Sequence, residues 1–400
     1  MIRVNEAKLL LQEQVRSLRP MSIPLESATD YILAEDIFSS IDIPCFNQSS
    51  MDGFAVCFGP EPGLQDFTII GEIQAGDTRN YTLHPGEAYR IFTGAPVPEC
   101  TDAIVMQEHA VIRDHSIHAD APITRGAYIR LRGAQTKSGE RVMKAGTVLT
   151  PAAIGFLASL GYEKITVIRK PRVTIIVTGN EIVPPGGSLR FGEVYESNSY
   201  SLRAALLQLQ LEVNPVVMVR DVKSGLIAAI RQALKNTDLL LISGGISVGK
   251  YDFAKEALET TGVETIFYKI SQKPGKPLFA GKVGEKIIFA LPGNPASVMV
   301  CFYEYVFAAI RFMSGYPPES DAVHYRKLLK PVNNSEDRDC FFRAKNCSEG
   351  ILPLEGQDSY MMQSFAQADS FIFVPANQIV EQGESVEVHP IPVNLNPGLL

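Results

Sequence analysis

The stretch DLLLISGGISVGKYDF, Asp238–Phe253, opens on the apolar run Leu239–Ile242 and passes straight into a glycine-containing loop. A short apolar run without polar alternation reads as a strand buried on both faces. In the loop, Gly244, Gly249 and Lys250 fit the G-x-x-x-x-G-K part of a nucleotide-binding P-loop. That motif needs Ser or Thr after the lysine to hold magnesium, and here Tyr251 and then Asp252 follow. Either the match is accidental or the loop handles phosphate and metal in another way. Outward from this stretch, VTIIVT (Val173–Thr178), VNPVVMV (Val213–Val219), VETIFYK (Val263–Lys269) and KIIFAL (Lys286–Leu291) also read as short buried strands. Helical patterns lie between the first of them. Leu202, Ala205, Leu206 and Leu209 share one face after the capping candidates Ser197 and Asn198, and Ile227, Ile230 and Leu234 share the next. Strands alternating with helices predict a doubly wound, mostly parallel sheet.

Four polar loops follow strands of this region: TGNE (Thr178–Glu181), SGGISVGKYD, KPGKP (Lys273–Pro277) and LPGNPAS (Leu291–Ser297). In an open parallel sheet the carboxyl ends of the strands frame the ligand crevice, so loops distant in sequence converge on one pocket. Asn294 is a natural N-cap and Pro295 a natural first helical residue, which starts a helix through Val298, Phe302 and Val306. Its free N–H groups, the Ser297 hydroxyl, Lys273 and Lys276 together suit an oxyanion. The alternative is a plain proline-capped turn.

With 400 residues and 46% hydrophobic content, the chain is long enough for two to four domains. A formal charge of -7 without a long basic run argues against a nucleic-acid track. MIRVNEAKLLLQEQ reads as an amphipathic helix and not as a signal peptide. The most apolar segment, Ala296–Ile310, is short for a bilayer span and contains Glu304, which favours a buried helix and no membrane partner. Cys45, Cys57, Cys100, Cys301, Cys340 and Cys347 form no C-x-x-C pair and read as reduced thiols. His115 and His118 are read as surface residues in preference to metal ligands. The stretches DFTIIGEI (from Asp66), GEAYRIFTG and TDAIVMQEHAVI are strand-like, as is the tail after about Asp321. Lys137–Gly161 returns to helix, which makes the β-rich part an insertion. The expected division is a discontinuous helical domain of residues 1–25 and 141–169, a β-rich inserted domain of 26–140, an α/β domain of 170–320 and a C-terminal β-barrel-like domain of 321–400.

FNQSSMDGFAV (Phe46–Val56), RIFTGAPVP (Arg90–Pro98), TGNE, SGGISVGKYDF, KPGKP and LPGNPAS occur in the order found in MoeA. Over nearly its whole length the chain resembles the molybdopterin molybdenumtransferases, a family that includes the E domain of gephyrin. The resemblance implies insertion of molybdate into the dithiolene of adenylylated molybdopterin, with release of AMP and molybdenum cofactor. It also implies Mg²⁺, a cytoplasmic location, and a homodimer whose pocket sets Asp52 and Thr93 of one chain opposite Asp252 of the other. The functional set carried over is Asp52, Thr93, Glu181, Asp221, Asp252, Lys269 and Lys273, with Asp52, Glu181 and Asp252 as metal ligands. Gly244, Gly245, Ser247, Gly249, Lys276, Pro292, Asn294, Pro295, Ser297 and Arg343 are the expected contacts to pterin, phosphate or oxyanion. Carboxylates suit Mg²⁺ on a pyrophosphate, and lysines with helix N–H groups suit molybdate. Asp252 then takes the metal-side role of the P-loop Ser or Thr, and Lys250 is peripheral.

Each residue also has a plainer reading: Asp52 caps a turn, Asp221 starts a helix, Thr93 sits in a turn, Lys269 is a solvated strand end, and the two prolines shape their loop. Where the family commonly shows an acidic pair, RLRGAQ carries Ala134 and Gln135, and TGNE replaces the more usual TGDE. The alternatives are a molybdopterin adenylyltransferase, which shares the sheet and the SGG-plus-Asp loop, and a gephyrin-like dimeric scaffold.

Overall fold

A computed structural model describes residues 1–59, 63–246, 253–317 and 324–392. The chain forms two compact units, one of Met1–Ala34, Val148–Thr150 and Lys164–Leu400, the other of Glu35–Thr147 and Pro151–Glu163.

The first unit is built on a six-stranded sheet of β1 (Val173–Thr178), β2 (Val217–Val219), β3 (Leu239–Ser243), β4 (Glu264–Tyr268), β5 (Phe279–Val283) and β6 (Lys286–Leu291) in the order β2-β1-β3-β6-β5-β4. Side chains of its central strands alternate between two buried faces. Val173, Ile175, Leu239, Leu241, Ile287 and Phe289 enter one core, and Ile176, Leu240, Ile242, Ile288 and Ala290 enter the other. On the first face lie α1 (Val4–Gln14), α2 (Asn198–Gln208) and a 19-residue helix, Pro295–Met313. On the second lie α3 (Lys223–Ala233), through Leu226 and Ile230, and α4 (Phe253–Thr260), through Ala257 and Leu258. Each fully buried Leu or Ile contributes about 1.5–3 kcal/mol, so two-sided burial holds the sheet.

The sheet is mostly parallel, as expected, with one strand reversed. β2, β1, β3 and β6 are parallel, but β5 pairs antiparallel with both β6 and β4. VETIFYK therefore supplies an edge strand that runs in the same direction as β6 and joins the sheet through the reversed β5. VNPVVMV contributes only its last three residues, as the other edge, with Val217 37% and Met218 46% exposed. Pro215 has no N–H to give a ladder, which explains the late start. In α2, Leu202, Ala205, Leu206 and Leu209 are buried as expected, while Glu196 takes the capping part, accepting from the Ser199 amide at 2.8 Å and hydroxyl at 2.5 Å.

The helix Pro295–Met313 is long and apolar enough to cross a membrane, yet most of it is buried in the core. It is interrupted by a π-helical segment, Phe302–Val306. Glu304 of that segment is buried and accepts from Lys8 of α1 at 2.7 Å and from His389 at 2.8 Å, while His389 reaches Glu387 at 2.9 Å through its other nitrogen. Burial pushes the Glu304 carboxyl up, but His389 and Lys8 overcome this and hold it at about 2. Burial pulls the His389 imidazolium down, and Glu304 with Glu387 more than reverses it, to about 9. His389 lies on Ser385–Pro390 of a second six-stranded sheet, which also includes His324–Lys327, Asp339–Cys347, Gly350–Pro353, Ser370–Val374 and the short strand Gln272–Lys273.

The second unit holds a six-stranded sheet in the spatial order Ala103–Met106, Gly53–Val56, Glu87–Ile91, Asp66–Ile73, Ser116–Ala119 and Ala110–Arg113. The helix Pro151–Ser159 clusters with this unit. All six cysteines are free, and His118 bonds Asp66 at 2.9 Å.

Candidate functional site

The carboxyl ends of β1, β3 and β6 lie level, because Val177 pairs with Ser243 and Ser243 with Leu291. TGNE, SGG and LPGN thus leave the sheet side by side. Gly244 has φ +91°, and a Cβ there would lie 2.1 Å from the Thr178 carbonyl oxygen, so only glycine permits this approach of backbones. The Thr178 hydroxyl donates to Asp221 Oδ1, and Asn180 Oδ1 accepts from the Asp221 amide at 3.2 Å. Asp221, beyond the end of β2, is thereby tied to the TGNE loop. α3 starts two residues later, at Lys223.

Asn198, the first residue of α2, spans the other two loops. Its Nδ2 donates to Ser243 Oγ at 2.9 Å and to the Gly293 carbonyl at 2.8 Å. Asn294 is the N-cap residue and Pro295 the first helical residue, as read from the sequence, but the Asn294 side chain turns away from its own helix and donates to Ser359 Oγ at 2.7 Å. The Ser359 carbonyl accepts from the Ala296 amide at 3.1 Å, so this first-turn N–H is already satisfied. Pro292 and Ser297 are buried and Glu181 is exposed.

The KPGKP loop lies between β4 and β5. Lys269 has φ +64° and its ammonium sits 4.6 Å from the centre of the Tyr268 ring. Lys273 is paired with Glu336 at 2.6 Å, and Glu336 also accepts from Arg338 at 2.6 Å. Hydrogen bonds from Lys273 and then Arg338 hold the Glu336 carboxyl at about 2. Lys276 is half-buried. Arg343, the expected oxyanion contact of the tail domain, is 1% exposed, and its Nη2 donates to the carbonyls of Gly356 at 2.7 Å and Asp358 at 3.1 Å. Burial lowers its pKa. The guanidinium organises the loop that carries Ser359.

In the second unit the structure brings Asp52 and Thr93 together. Asp52 Oδ1 accepts from both the Thr93 amide at 2.7 Å and its hydroxyl at 2.8 Å. Those two bonds, the amide first, lower the Asp52 pKa and keep the carboxylate charged. Gln135, at the departure from the family pattern, is exposed, and its amide donates to the Ile43 carbonyl at 2.9 Å. Ser247, Gly249, Lys250 and Asp252 lie outside the described residues. Among the described residues no three His, Cys, Asp or Glu side chains cluster to hold a metal.

Three site-shaping residues escaped the reading of the sequence. Asn198 was legible as a polar residue at a helix start, but its two cross-loop bonds were not. Ser359 and Glu336 come from the second sheet's loops, in stretches without a motif.

Residues 2–161 match the family described as MoeA N-terminal region (domain I and II), residues 174–311 a probable molybdopterin binding domain, and residues 325–391 the MoeA C-terminal region (domain IV). A molybdopterin molybdenumtransferase of Staphylococcus aureus (strain COL) is 30% identical over 397 residues, covering 97% of this chain and 95% of that one. Molybdopterin molybdenumtransferase 2 of Mycobacterium tuberculosis is 33% identical over 402 residues, covering 96% and 98%. Among solved structures, a molybdopterin biosynthesis MoeA protein from Pyrococcus horikoshii superposes with a TM-score of 0.82 at 30% identity, covering 98% of this chain and 99% of that one.

Proposed function

The chain belongs to the MoeA family of molybdopterin molybdenumtransferases, and from that membership we propose that it takes adenylylated molybdopterin and molybdate, inserts the metal into the dithiolene and releases AMP. The observation that carries this reading is the row of three strand-end loops locked together by Gly244, Asp221 and Asn198. Loops fixed at the carboxyl edge of a sheet present backbone N–H groups and small polar side chains to a phosphate-bearing ligand at little reorganisation cost. In this reading Lys273 and Lys276 attract the molybdate dianion. Ser297 and the Pro292–Pro295 turn shape the floor beneath it.

Mg²⁺ belongs to the proposal, and Asp52 fits it. Both Thr93 donors fall on Oδ1, which leaves Oδ2 of an ionised, hard oxygen donor for the cation. In the proposed homodimer, Glu181 and Asp252 of the other chain would complete the ligand set, and the ion would neutralise charge on the pyrophosphate. The cytoplasm is the proposed location and the homodimer the proposed assembly.

Reconstitution tests the reading. Purified protein, adenylylated molybdopterin, molybdate and Mg²⁺ should release AMP and yield cofactor that activates a molybdenum-free apoenzyme. AMP transfer from ATP to molybdopterin, with no molybdenum insertion, would instead assign the adenylyltransferase reaction. Full-length likeness to three-region chains supports the transferase over that reading. A monomeric mass by sedimentation at micromolar concentration would remove the dimer.

A further inference from the structure

The KPGKP loop is held from beneath by side chains that no motif marks. Between β4 and β5 the chain is bound by its own backbone at the base, where Lys269 N–H reaches the Leu278 carbonyl at 2.9 Å and Ile270 N–H the Lys276 carbonyl at 3.1 Å. Farther along, Gln272–Lys273 pairs in parallel with Asp339–Cys340 of the second sheet, and the turn at Pro274–Gly275 lies beyond that pairing. There Gln272, fully buried, donates from Nε2 to the Pro274 carbonyl at 2.9 Å. Its Oε1 accepts from the hydroxyl of Tyr305, which is also fully buried and lies in the π segment of the long helix. Cys301, one turn earlier, places its Sγ 3.6 Å from the Gly275 carbonyl and 3.8 Å from Gln272 Nε2. Gly275 has φ +95°, and a Cβ there would lie 2.6 Å from Cys301 Sγ and 2.7 Å from Gln272 Nε2. The inner side of the loop therefore rests directly on these two groups.

We propose that Gln272, oriented by Tyr305, is a positioning residue that sets the KPGKP loop and so the placement of Lys273 and Lys276 for the oxyanion; the role of those lysines rests on the function proposed above. A primary amide suits the place because it donates and accepts at once. A carboxylate of the same length offers no donor to the Pro274 carbonyl, and a thioether offers neither function to both partners. With both partners buried, the bond geometry is enforced, and a mismatch leaves a carbonyl or a hydroxyl without its partner. π segments occur often at functional sites, and this one carries Tyr305 in the helix that begins at Asn294.

The test uses the full-length protein with Gln272→Met, which keeps volume and removes the hydrogen bonds, and Tyr305→Phe, a milder variant should the first fold poorly. Two readouts are needed. In the ligand-free protein, amide hydrogen exchange at Ile270 and Leu278 should accelerate about tenfold or more, while amides of β1 and β3 keep their protection. At saturating adenylylated pterin, the molybdate concentration for half-maximal rate should rise roughly tenfold, with the maximal rate at high molybdate retained and pterin affinity within about twofold of wild type. The double variant should be no worse than Gln272→Met alone, because Tyr305 acts through Gln272. Unchanged exchange at the loop in a folded variant overturns the positioning role whatever the substrate. Pterin affinity falling in parallel with molybdate dependence also overturns it, since a general loss of packing predicts that. Faster loop exchange in the variants, combined with unaltered molybdate dependence in Lys273→Ala and Lys276→Ala, would instead remove the oxyanion role of the lysines and leave the positioning of the loop standing.

Discussion

Neutralising Glu336 should make molybdate bind better. Its carboxylate holds the Lys273 ammonium at 2.6 Å and Arg338 at 2.6 Å, and with a carboxyl held at about 2 it stays ionised at any working pH. An incoming oxyanion must therefore share Lys273 or displace Glu336. The lysine side chain is 51% exposed and the glutamate 33%, which places the pair among surface ion pairs worth at most about 1 kcal/mol. Releasing the lysine through Glu336→Gln should lower the half-saturating molybdate concentration by up to about fivefold, since ~1.4 kcal/mol is tenfold. Lys273→Ala removes a charged hydrogen bond worth about 1.5–3 kcal/mol and should raise it roughly ten- to a hundredfold. Because Glu336 acts through the lysine, the double variant should match Lys273→Ala. Initial rates against molybdate at saturating adenylylated pterin and fixed ionic strength, with sulfate as competitor, provide the assay. A higher molybdate requirement in Glu336→Gln, or a double variant that regains affinity over Lys273→Ala, would refute the competition.

Gly244→Ala forces a methyl to within 2.1 Å of the Thr178 oxygen at φ +91°, and should lower Tm by roughly 3–10 °C and abolish pterin binding; a wild-type melting curve would show that the two backbones do not meet. Asn198→Ala leaves the Ser243 hydroxyl and Gly293 carbonyl without their shared donor, at about 1–3 kcal/mol in chemical denaturation, and pterin affinity measured by calorimetry should fall with it. Asp52→Asn can still accept from Thr93, so the fold should persist while the Mg²⁺ needed for half-maximal rate rises roughly tenfold; an unchanged Mg²⁺ titration would exclude Asp52 as a ligand. His389, raised from 6.5 to about 9, contributes stability that is complete below 6.5 and lost as pH rises through 9, whereas Glu304, lowered from 4.5 to about 2, contributes above 4.5 and loses it as pH falls through 2. Wild-type stability should therefore decline between pH 6.5 and 9 by on the order of 1–3 kcal/mol, and His389→Gln should flatten that decline in urea titrations.

What the sequence made legible follows from the kind of constraint at each position. Leu239–Ile242 and Val173–Val177 read as two-sided buried strands because their apolar residues meet a core on either face, and the structure buries them all, Thr174 included. Neighbour order is not a property of such a run, so VETIFYK could be recognised as a strand but not as an edge separated from the parallel strands by a reversed one. Its partner Phe279–Val283 was overlooked because Gly281 and Lys282 dilute the apolar pattern, although Gly284–Glu285 before Lys286 is a two-residue turn signal. At the site, residues that shape backbone announced themselves: Gly244, Pro295 and Asn294 are types chosen for conformation. Ser359, Glu336 and Gln272 act through side chains brought in by the second sheet, where Gln272 pairs beside Asp339, 67 positions away in the chain. No local pattern encodes such a meeting. Arg343 shows the same limit, since its residue type suggests an anion and says nothing of the two carbonyls that its Nη2 meets.

The π segment Phe302–Val306 gives the long helix two phases. Each α-helical residue advances the chain by about 100°, and the wider turn sets the stretch after Val306 out of step with the stretch that begins at Asn294. One end is indexed to the strand-end loops through Asn294 and Ser359, the other to the core through Phe307, Ile310 and Met313. The wide turn absorbs about one residue more than an α turn holds, so a deletion between Phe302 and Val306 would let the helix wind regularly with both ends still facing their partners, and its cost would fall on the side chains of the segment itself, Tyr305 among them. A deletion between Phe307 and Met313 would instead turn the residues beyond it by that same angle and swing buried side chains toward the outside. Outside the π segment the length of this helix is thus fixed to the residue, even at positions whose side chains make no contact with a substrate.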